Sequence, residues 1–398
     1  MLLDNHVPVR LSDISPGRGM KGKNADLAEA IQQTAGLDPF VINLFHLNPD
    51  QMLYLLNPLS SLVTTQGRMN ISVPFWELPK LPPSWIKPLE AMDLILAPTR
   101  YIEDAVREAL PNANVIHFPQ AVHVPDDITA DRARFGLPND AIVFVSSFDM
   151  RSDIERKNPW AAIEAFHRAF PDRDDVRLVV KVNNVEYSSR FPAYVRRLAE
   201  EARDHRVIVN SDAMGYRDVL SLYASSDVLL SLHRAEGLGL SLLEAMSFGK
   251  VVVATAFSGN MDFMTPENSC PVPFTMVPVQ ASTQPAYSKR FAGEQEWAEP
   301  DVDAAATALR ALADSPELRA RLGSAASATA QTVRAGYDNG LVLTSVRTHY
   351  ATWAADPGER ERSRERVLGL ERSFFGAYAA RIVRAGSRRL RDALRGGS

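Results

Sequence analysis

The sequence predicts an α/β protein built from two Rossmann-like domains that each contain a parallel sheet. Short apolar runs alternate with amphipathic stretches along most of the 398 residues, which is typical of β-α-β units. A polar, proline-bearing stretch over 121–140 interrupts this alternation and predicts the linker between the domains. The length supports the same division, because each half is large enough to bury a core of its own.

Four apolar runs in the N-terminal domain, assigned to 1–120, predict strands. They occupy 40–46, 69–74, 93–97 and 114–118. Helical periodicity is found at 48–56, 84–91 and 99–109. The chain opens without the apolar strand and glycine-rich turn that normally begin such a domain, so we expect the first strand to be missing.

The C-terminal domain, assigned to 141–334, repeats this pattern. Its predicted strands are 141–147, 176–182, 206–210, 227–232 and 250–254. Its predicted helices are 158–170, 190–203, 215–225 and 240–248. From Asp301 onward the periodicity is purely helical, so we expect helices at the C-terminal end.

The composition limits the classes of function. Apolar residues make up 45% of the chain and charged residues 23%, values that are ordinary for globular proteins and exclude a disordered or fibrous class. The single cysteine, Cys270, excludes an internal disulfide framework. Since we find neither a signal peptide nor an apolar run of about 18 residues, we expect a cytoplasmic protein. The net charge of the whole chain is −4, and we do not expect the body of the protein to bind nucleic acid.

The end of the chain differs in charge from the rest. Within a predicted basic amphipathic tail over 357–398, residues 372–395 contain seven arginines and one aspartate, a net +6 that leaves −10 for the remainder. At helical spacing the apolar residues and the arginines fall on opposing sides. Such a helix suits peripheral contact with an anionic membrane, here at its inner face, and equally suits docking on the acidic body.

The segment over 231–250 is the most informative part of the sequence, because it has the order strand, glycine turn, helix. Gly237 and Gly239 remove side chains where a backbone could approach a ligand, and the amides of the following helix start suit a diphosphate. Glu236 precedes this helix, and Glu244 lies about two turns inside it. The two carboxylates can therefore address different parts of one extended ligand.

This segment, in which Glu236, seven residues and Glu244 are followed by Ala-Met, resembles glycosyltransferase family 4, whose members are retaining enzymes of the GT-B fold. The resemblance continues in 251–262 and in the Arg-Lys-Asn-Pro run that starts at Arg156, and covers roughly residues 70–335. It implies two domains that face a cleft, with C-terminal helices. One of these, over 335–356, would return to the N-terminal domain.

The resemblance also implies roles toward a nucleotide-diphosphate sugar. As catalytic residues, Glu236 would meet the transferred sugar and Lys157 the donor diphosphate, while Glu244 would bind the ribose hydroxyls. Further donor-binding residues are expected in the glycine turn and in the second matched segment, namely Gly237, Leu238, Gly239, Leu240, Ser258 and Gly259. A fixed ammonium and helix-terminal amides suit this chemistry, because they stabilise the charge that grows on a departing diphosphate.

Ser147 is the clearest departure from the family, because relatives commonly carry an arginine there that grips phosphate. Arg151 or Arg156 could supply that charge, and either could equally be a solvated loop residue. Lys181 and Asn183 end a predicted strand where many relatives have glycines. We therefore include Arg151, Arg156, Lys181 and Asn183 as candidate donor contacts.

Trp76 and Glu77 are candidates for the acceptor side of the cleft, and a subgroup of family 4 also has Trp-Glu in this domain. A tryptophan offers a stacking face for a sugar ring, and a glutamate accepts hydrogen bonds from hydroxyls. Packing of Trp76 in the core is the alternative. His46 follows the first apolar run and could also reach the cleft, although a lone histidine is more often structural.

Together these observations predict a retaining transferase that moves a hexose to a glycan or lipid-linked acceptor, with mannose from GDP-mannose as the first choice. No cofactor or metal is expected, since the Asp-x-Asp sequence at Asp301 and Asp303 precedes a helix and is better explained by capping. The alternatives are a degenerate protein of this fold that binds a nucleotide or glycan, and a sugar-nucleotide epimerase.

Overall fold

The computed structural model describes residues 41–50, 52, 67–185, 192–279, 295–338 and 340–370. Two of our predictions, the missing first strand and the amphipathic stretch over 372–395, lie outside these residues, and so does most of the predicted helix over 48–56. Within them the chain forms two parallel sheets accompanied by helices, so the predicted α/β class is confirmed. None of the described helices is both long and apolar enough to cross a membrane.

The strands of the N-terminal sheet lie where the apolar runs predicted them. They are β1 (Ile42–Phe45), β2 (Met69–Ser72), β3 (Leu94–Ala97) and β4 (Val115–His117). They pair in the order β1-β2-β3-β4, all parallel. The helices of this half are α1 (Pro83–Glu90) and α2 (Arg100–Ala109). The side chain of Thr99 caps α2 by accepting a hydrogen bond from the amide of Ile102.

The C-terminal sheet contains the five predicted strands and one that was not predicted. They are β5 (Ile142–Asp149), β6 (Val176–Asn183), β7 (Val207–Asn210), β8 (Val228–Ser231), β9 (Val251–Thr255) and the unpredicted β10 (Cys270–Val272). They pair in the order β10-β9-β8-β5-β6-β7, all parallel. The chain order reverses between β5 and β8, and such a switch point leaves a crevice at the carboxyl ends of the strands where ligands bind. We call it the crevice.

The four longer helices of the C-terminal half lie where the periodicity predicted them, and a shorter one was not predicted. They are α3 (Ile154–Lys157), α4 (Pro159–Ala169), α5 (Pro192–Glu201), α6 (Tyr216–Ser225) and α7 (Leu240–Ser247), followed by a 3-10 turn (Gly259–Asp262). Phe144, Phe166 and Phe170 pack together in the core, with ring centroids 5.3–6.1 Å apart. These rings fix α4 on β5 and so give the loop between them a rigid base.

An antiparallel hairpin that the sequence did not predict joins the two halves. It consists of β11 (Phe274–Pro278) and β12 (Glu296–Pro300). Trp297 is buried in the N-terminal core, and the side-chain amide of Gln295 bonds to both the amide and the carbonyl of Lys80. Prolines and scattered polar residues in the hairpin obscure the period-two alternation on which strand prediction depends.

Helices follow from Asp301 onward, as predicted. They are α8 (Val302–Asp314), α9 (Pro316–Asp338), α10 (Leu341–Ala355) and α11 over 357–370. The Asp301 side chain accepts hydrogen bonds from the amides of Asp303 and Ala304, which is the capping role expected for this pair of aspartates. Trp353 of α10 is buried against apolar residues of β2 and β3.

Helix α11, the described part of the predicted tail, is docked on the N-terminal half. Its Arg366 forms an ion pair of 2.9 Å with Asp93, a buried carboxylate that also accepts the amide of Asn70. Val367 and Leu370 are buried in the same interface. Helix α11 is therefore docked on the body, whereas the choice between membrane contact and docking concerns 372–395, outside the described residues.

Candidate active site

The loop between β5 and α4 presents Lys157 through the short helical turn α3. Asp153 caps this turn by accepting hydrogen bonds from the amides at its start. Asn158 has a φ of 48°, a left-handed conformation that asparagine tolerates, and it ends the turn just before the proline that begins α4. The Arg-Lys-Asn-Pro run thus holds Lys157 at the carboxyl end of β5.

Lys157 and Glu236 meet in the crevice. The Lys157 ammonium donates a hydrogen bond to Glu236 Oε1, and the Arg156 guanidinium lies 3.6 Å from the same oxygen. Burial opposes ionisation of this carboxyl, but the charges of Lys157 and Arg156 outweigh it and hold the pKa of Glu236 at about 2. Glu236 is therefore an anion at neutral pH.

Glu77 reaches the same place from the N-terminal half, because its Oε1 lies 3.4 Å from Arg156 Nη2. We call Glu77, Arg156, Lys157 and Glu236 the charged cluster. It combines the two predicted catalytic residues with one predicted donor contact and one predicted acceptor-side residue. The structure therefore brings together side chains that are far apart in the chain.

Trp76 does not offer the expected stacking face for a sugar. It is 1% exposed, packs on Trp85 with ring centroids 4.9 Å apart, and donates through Nε1 to the carbonyl of Lys80. The stacking prediction is wrong and the core-packing alternative is correct, because the indole fills the N-terminal core instead of lining the cleft.

Ser258 and Gly259 hold the backbone of Glu236. Ser258 Oγ accepts the Glu236 amide at 2.8 Å, and the Gly259 amide donates to the Glu236 carbonyl at 2.9 Å. A Cβ on Gly259 would lie 2.0 Å from the carbonyl oxygen of Gly237, so only glycine fits this approach. Ser258 and Gly259 thus position the main chain of Glu236.

Gly237 lies at the contact between the two halves. A Cβ there would lie 2.7 Å from the carbonyl oxygen of Trp76, and Thr99 Oγ1 donates to the Gly237 carbonyl at 3.0 Å. The close approach at Gly237 is therefore made by the backbone of the N-terminal half. Gly239 has a φ of 88°, which glycine adopts readily, and it directs the chain into α7 at Leu240.

Helix α7 carries the second glutamate of the motif. Leu238 before it is buried in the C-terminal core, whereas Leu240 at its first turn is 44% exposed, beside the free amides of a helix start. Glu244 is buried, burial raises its pKa, and the hydroxyl of Tyr216 donates to its Oε1 at 2.8 Å. Our sequence analysis missed Tyr216, although it begins α6 directly after the loop at the carboxyl end of β7.

Lys181 and Ser147 have partners within the protein. The Lys181 ammonium is buried and donates to the carbonyls of Val182 and Asp212, both at 2.9 Å. Ser147 Oγ lies 2.9 Å from the hydroxyl of Tyr223. The expected donor contact of Lys181 is thus not supported by its geometry, because its ammonium is directed at main-chain carbonyls.

Three further predicted residues lie outside the charged cluster. His46 is exposed and rests edge-on against Phe75, with ring centroids 5.1 Å apart. Arg151 is exposed on the loop after β5, and Asn183 ends β6. His46 therefore contacts Phe75, two residues before Glu77, and is not part of the charged cluster.

His233 is a buried titratable group that our sequence analysis did not select. It is 0% exposed, and neither ring nitrogen has a hydrogen-bond partner among the described residues. Burial lowers its pKa to about 4, although the negative charge of Glu236 acts in the opposite direction. His233 is therefore neutral at pH 7. The charges of the charged cluster act on its pKa.

A known protein family matches the part of the chain that forms the crevice. Residues 127–271 match the family described as Glycosyl transferases group 1. The chain carries a glycosyl transferases group 1 domain. The match includes β5 to β9 and ends within β10, so it contains both loops of the crevice, with Glu77 as the one member of the charged cluster outside it.

A curated relative extends the comparison. The GDP-mannose-dependent monoacylated alpha-(1-6)-phosphatidylinositol monomannoside mannosyltransferase of Corynebacterium glutamicum is 25% identical over 226 residues. This match covers 53% of the chain but spans only 50% of the relative's own length.

The solved structures are similar in fold. Sucrose-phosphate synthase from Thermosynechococcus elongatus has a TM-score of 0.55 and 15% identity, over 82% of this chain and 77% of its own. A mutant of S. aureus TarM, in complex with fondaparinux, alpha-GlcNAc-glycerol and UDP, has a TM-score of 0.51 and 12% identity, over 73% of this chain and 53% of its own. These likenesses confirm the GT-B fold.

Proposed function

We propose that this protein is a retaining glycosyltransferase that moves a hexose from a nucleotide-diphosphate sugar to a glycan or lipid-linked acceptor without a metal. The observation that carries the proposal is the pair of Lys157 and an ionised Glu236 in the crevice of the group 1 domain. An ammonium beside a helix start neutralises a departing diphosphate, while a carboxylate stabilises positive charge on the sugar.

The donor would lie along α7. Its diphosphate would replace Glu236 as the partner of Lys157, whose side chain is 23% exposed and hence accessible to a ligand. The start of α7 adds the free amides of a helix N-terminus. Glu244 would accept the ribose hydroxyls, and Tyr216 would hold one oxygen of that carboxylate in place.

Retention follows when the acceptor attacks from the face that the diphosphate leaves. The acceptor oxygen forms a bond to the anomeric carbon as the bond from that carbon to the diphosphate oxygen breaks, and the departing oxygen takes the acceptor's proton. The products are a glycosylated acceptor and a nucleoside diphosphate. Glu236 stabilises charge in this scheme and is not assigned a covalent role.

GDP-mannose is our first choice of donor, because the relative from C. glutamicum is named as GDP-mannose-dependent. A UDP-sugar is the second choice, because UDP is bound to the similar structure of TarM. The relative's named substrate is a phosphatidylinositol mannoside, which supports a lipid-linked acceptor. We therefore propose a cytoplasmic protein in peripheral contact with the inner membrane face.

A donor panel tests the function. GDP-mannose, UDP-glucose and UDP-N-acetylglucosamine are incubated with the protein, with and without glycan and polyprenyl-phosphate-linked acceptors, and the released nucleoside diphosphate is measured. We expect release from one donor, faster with acceptor and unchanged in EDTA. Among the described residues, no group of three His, Cys, Asp or Glu side chains could hold a metal ion. Loss of turnover in EDTA that manganese restores would contradict metal independence.

The same panel separates the two alternatives. A degenerate binding protein would show a higher melting temperature with one donor and no release of nucleoside diphosphate. An epimerase that hydrolyses the nucleotide sugar would release it with water alone, at a rate that no acceptor increases. Glu236→Gln is the matched variant for this panel. It keeps the size of the side chain but removes the charge that our scheme requires.

A further inference from the structure

Glu236 has two cationic partners that differ in their freedom to move. The Lys157 side chain is 23% exposed, whereas that of Arg156 is 4% exposed. Arg156 also donates to the carbonyl of Ala235 at 2.6 Å through Nη1 and to Ser152 Oγ at 3.0 Å through Nη2. Lys157 can therefore turn to a diphosphate, while Arg156 could leave only by breaking buried hydrogen bonds.

The main chain of Arg156 is held as firmly as its side chain. Its carbonyl accepts the amide of Arg234 at 2.7 Å, and its own amide donates to the Asp153 cap at 3.2 Å. These bonds tie the loop after β5 directly to the loop after β8. The guanidinium thus has one position relative to Glu236.

The other end of the guanidinium faces Glu77, at 3.4 Å from Nη2. Glu77 belongs to the N-terminal half, where its carbonyl accepts the hydroxyl of Tyr101 at 3.3 Å. A planar guanidinium fork can hold two carboxylates at a fixed separation, which the single ammonium of a lysine cannot do. Arg156 therefore links one carboxylate from each half of the protein.

We propose that Arg156 is a positioning residue that sets Glu236 against Glu77 while Lys157 binds the donor diphosphate. This inference rests on the proposed function, and it gives Arg156 a role other than the donor contact expected from the sequence. Arg156 acts through Glu236 and touches neither the donor nor the reacting sugar. Because Glu77 belongs to the N-terminal half, the geometry of the donor site depends on contact between the halves.

The test compares Arg156→Lys, Glu77→Gln and the double variant with the unchanged protein. Arg132→Lys is the matched control, since Arg132 also binds main-chain carbonyls and a carboxylate, that of Asp227, but lies away from the charged cluster. For each protein, calorimetry measures the Kd of the nucleotide sugar that the unchanged protein turns over. The release of nucleoside diphosphate at saturating donor measures kcat.

We expect Arg156→Lys to lower kcat by at least about tenfold while the donor Kd changes by less than about threefold, because transition-state stabilisation is lost and donor binding is not. Glu77→Gln should lower kcat by a smaller factor. The double variant should be no slower than Arg156→Lys, because both changes act through one guanidinium. Arg132→Lys should keep its kcat.

Three results would overturn the proposal. A donor Kd weakened tenfold or more in Arg156→Lys, with unchanged kcat, would make Arg156 a phosphate ligand. Losses of kcat that multiply in the double variant would show that Glu77 and Arg156 act separately. An equal loss of kcat in Arg132→Lys would show that kcat falls because the protein is less stable. A protein that releases nucleoside diphosphate from no nucleotide sugar, before any substitution, would instead refute the proposed function and the positioning role with it.

Discussion

The two sides of the crevice are encoded in different ways. On the donor side, Glu236 and Glu244 lie in one continuous segment, where a strand, a turn and a helix set their separation. On the acceptor side, Glu77 reaches the crevice from a loop whose neighbour Trp76 is buried in the core. Residue order therefore identifies the donor side, whereas contacts between distant residues define the acceptor side.

The contact between the two sides is close. The Trp76 carbonyl lies over Gly237, and Asp262 of the C-terminal half accepts the amide of Arg100 at the start of α2, at 2.9 Å. The N-terminal half thus contributes to the site through backbone as well as through Glu77. The predictions below change one side or this contact, and so test whether the sides act separately.

The largest expected effect is on the donor side. Lys157→Ala should lower kcat at saturating donor by about 100-fold to 1000-fold, because the ammonium is proposed to stabilise charge on the departing diphosphate. Steady-state release of nucleoside diphosphate measures it. Glu244→Ala is the companion variant and should mainly raise the donor KM. Near-normal kcat in Lys157→Ala would rule out the phosphate role.

A second prediction concerns His233, which belongs to the same loop as Glu236. In the unfolded chain its pKa is 6.5, and burial lowers it to about 4 in the folded protein. Between these values the unfolded state binds more protons, so folding stability should fall as the pH falls from 6.5 to 4, by up to about 3 kcal/mol.

Melting temperatures across this pH window measure the effect. In His233→Leu, which has no titrating group at this position, the pH dependence between 6.5 and 4 should be flatter than in the unchanged protein. Equal slopes in the two proteins would show that His233 is not the group that titrates.

The third prediction tests the contact between the halves. Gly237→Ala places a Cβ 2.7 Å from the Trp76 carbonyl, so one half must shift, at a cost of about 2 kcal/mol in unfolding free energy. Activity should fall as well, since the shift moves Glu77 away from Arg156. Gly336→Ala is the control, because a Cβ there meets no atom within 4 Å. Equal stability of the two variants would contradict the close approach seen here.

The smallest effect on the crevice is expected from the tail. Removal of 371–398 should leave kcat on a water-soluble acceptor unchanged, because α11 stays docked through Arg366. Flotation with liposomes should distinguish the two proteins, since each basic residue adds about 1 kcal/mol of attraction to an anionic surface. Equal flotation, or binding that does not depend on lipid charge and salt, would leave docking on the body as the better account of 372–395.

Local patterns predicted most of the fold. The apolar runs located β1 to β9, because a buried parallel strand must be apolar along its length. The hairpin of β11 and β12 was missed, because its register depends on Trp297 packing into the other half. Likewise, the residues next to Lys181 in the sequence do not indicate that its ammonium binds the carbonyls of Val182 and Asp212.

The sequence by itself determined the donor motif, since spacing along a strand, a turn and a helix is a property of consecutive residues. It also determined the short turn that presents Lys157, through Asp153 as its cap and Asn158 at its end. Only the tertiary structure decided that Trp76 is buried and that Arg156 links Glu77 to Glu236. The physical reason is that burial and ion pairing depend on which surfaces meet when the two halves pack, and these surfaces come from residues far apart in the chain.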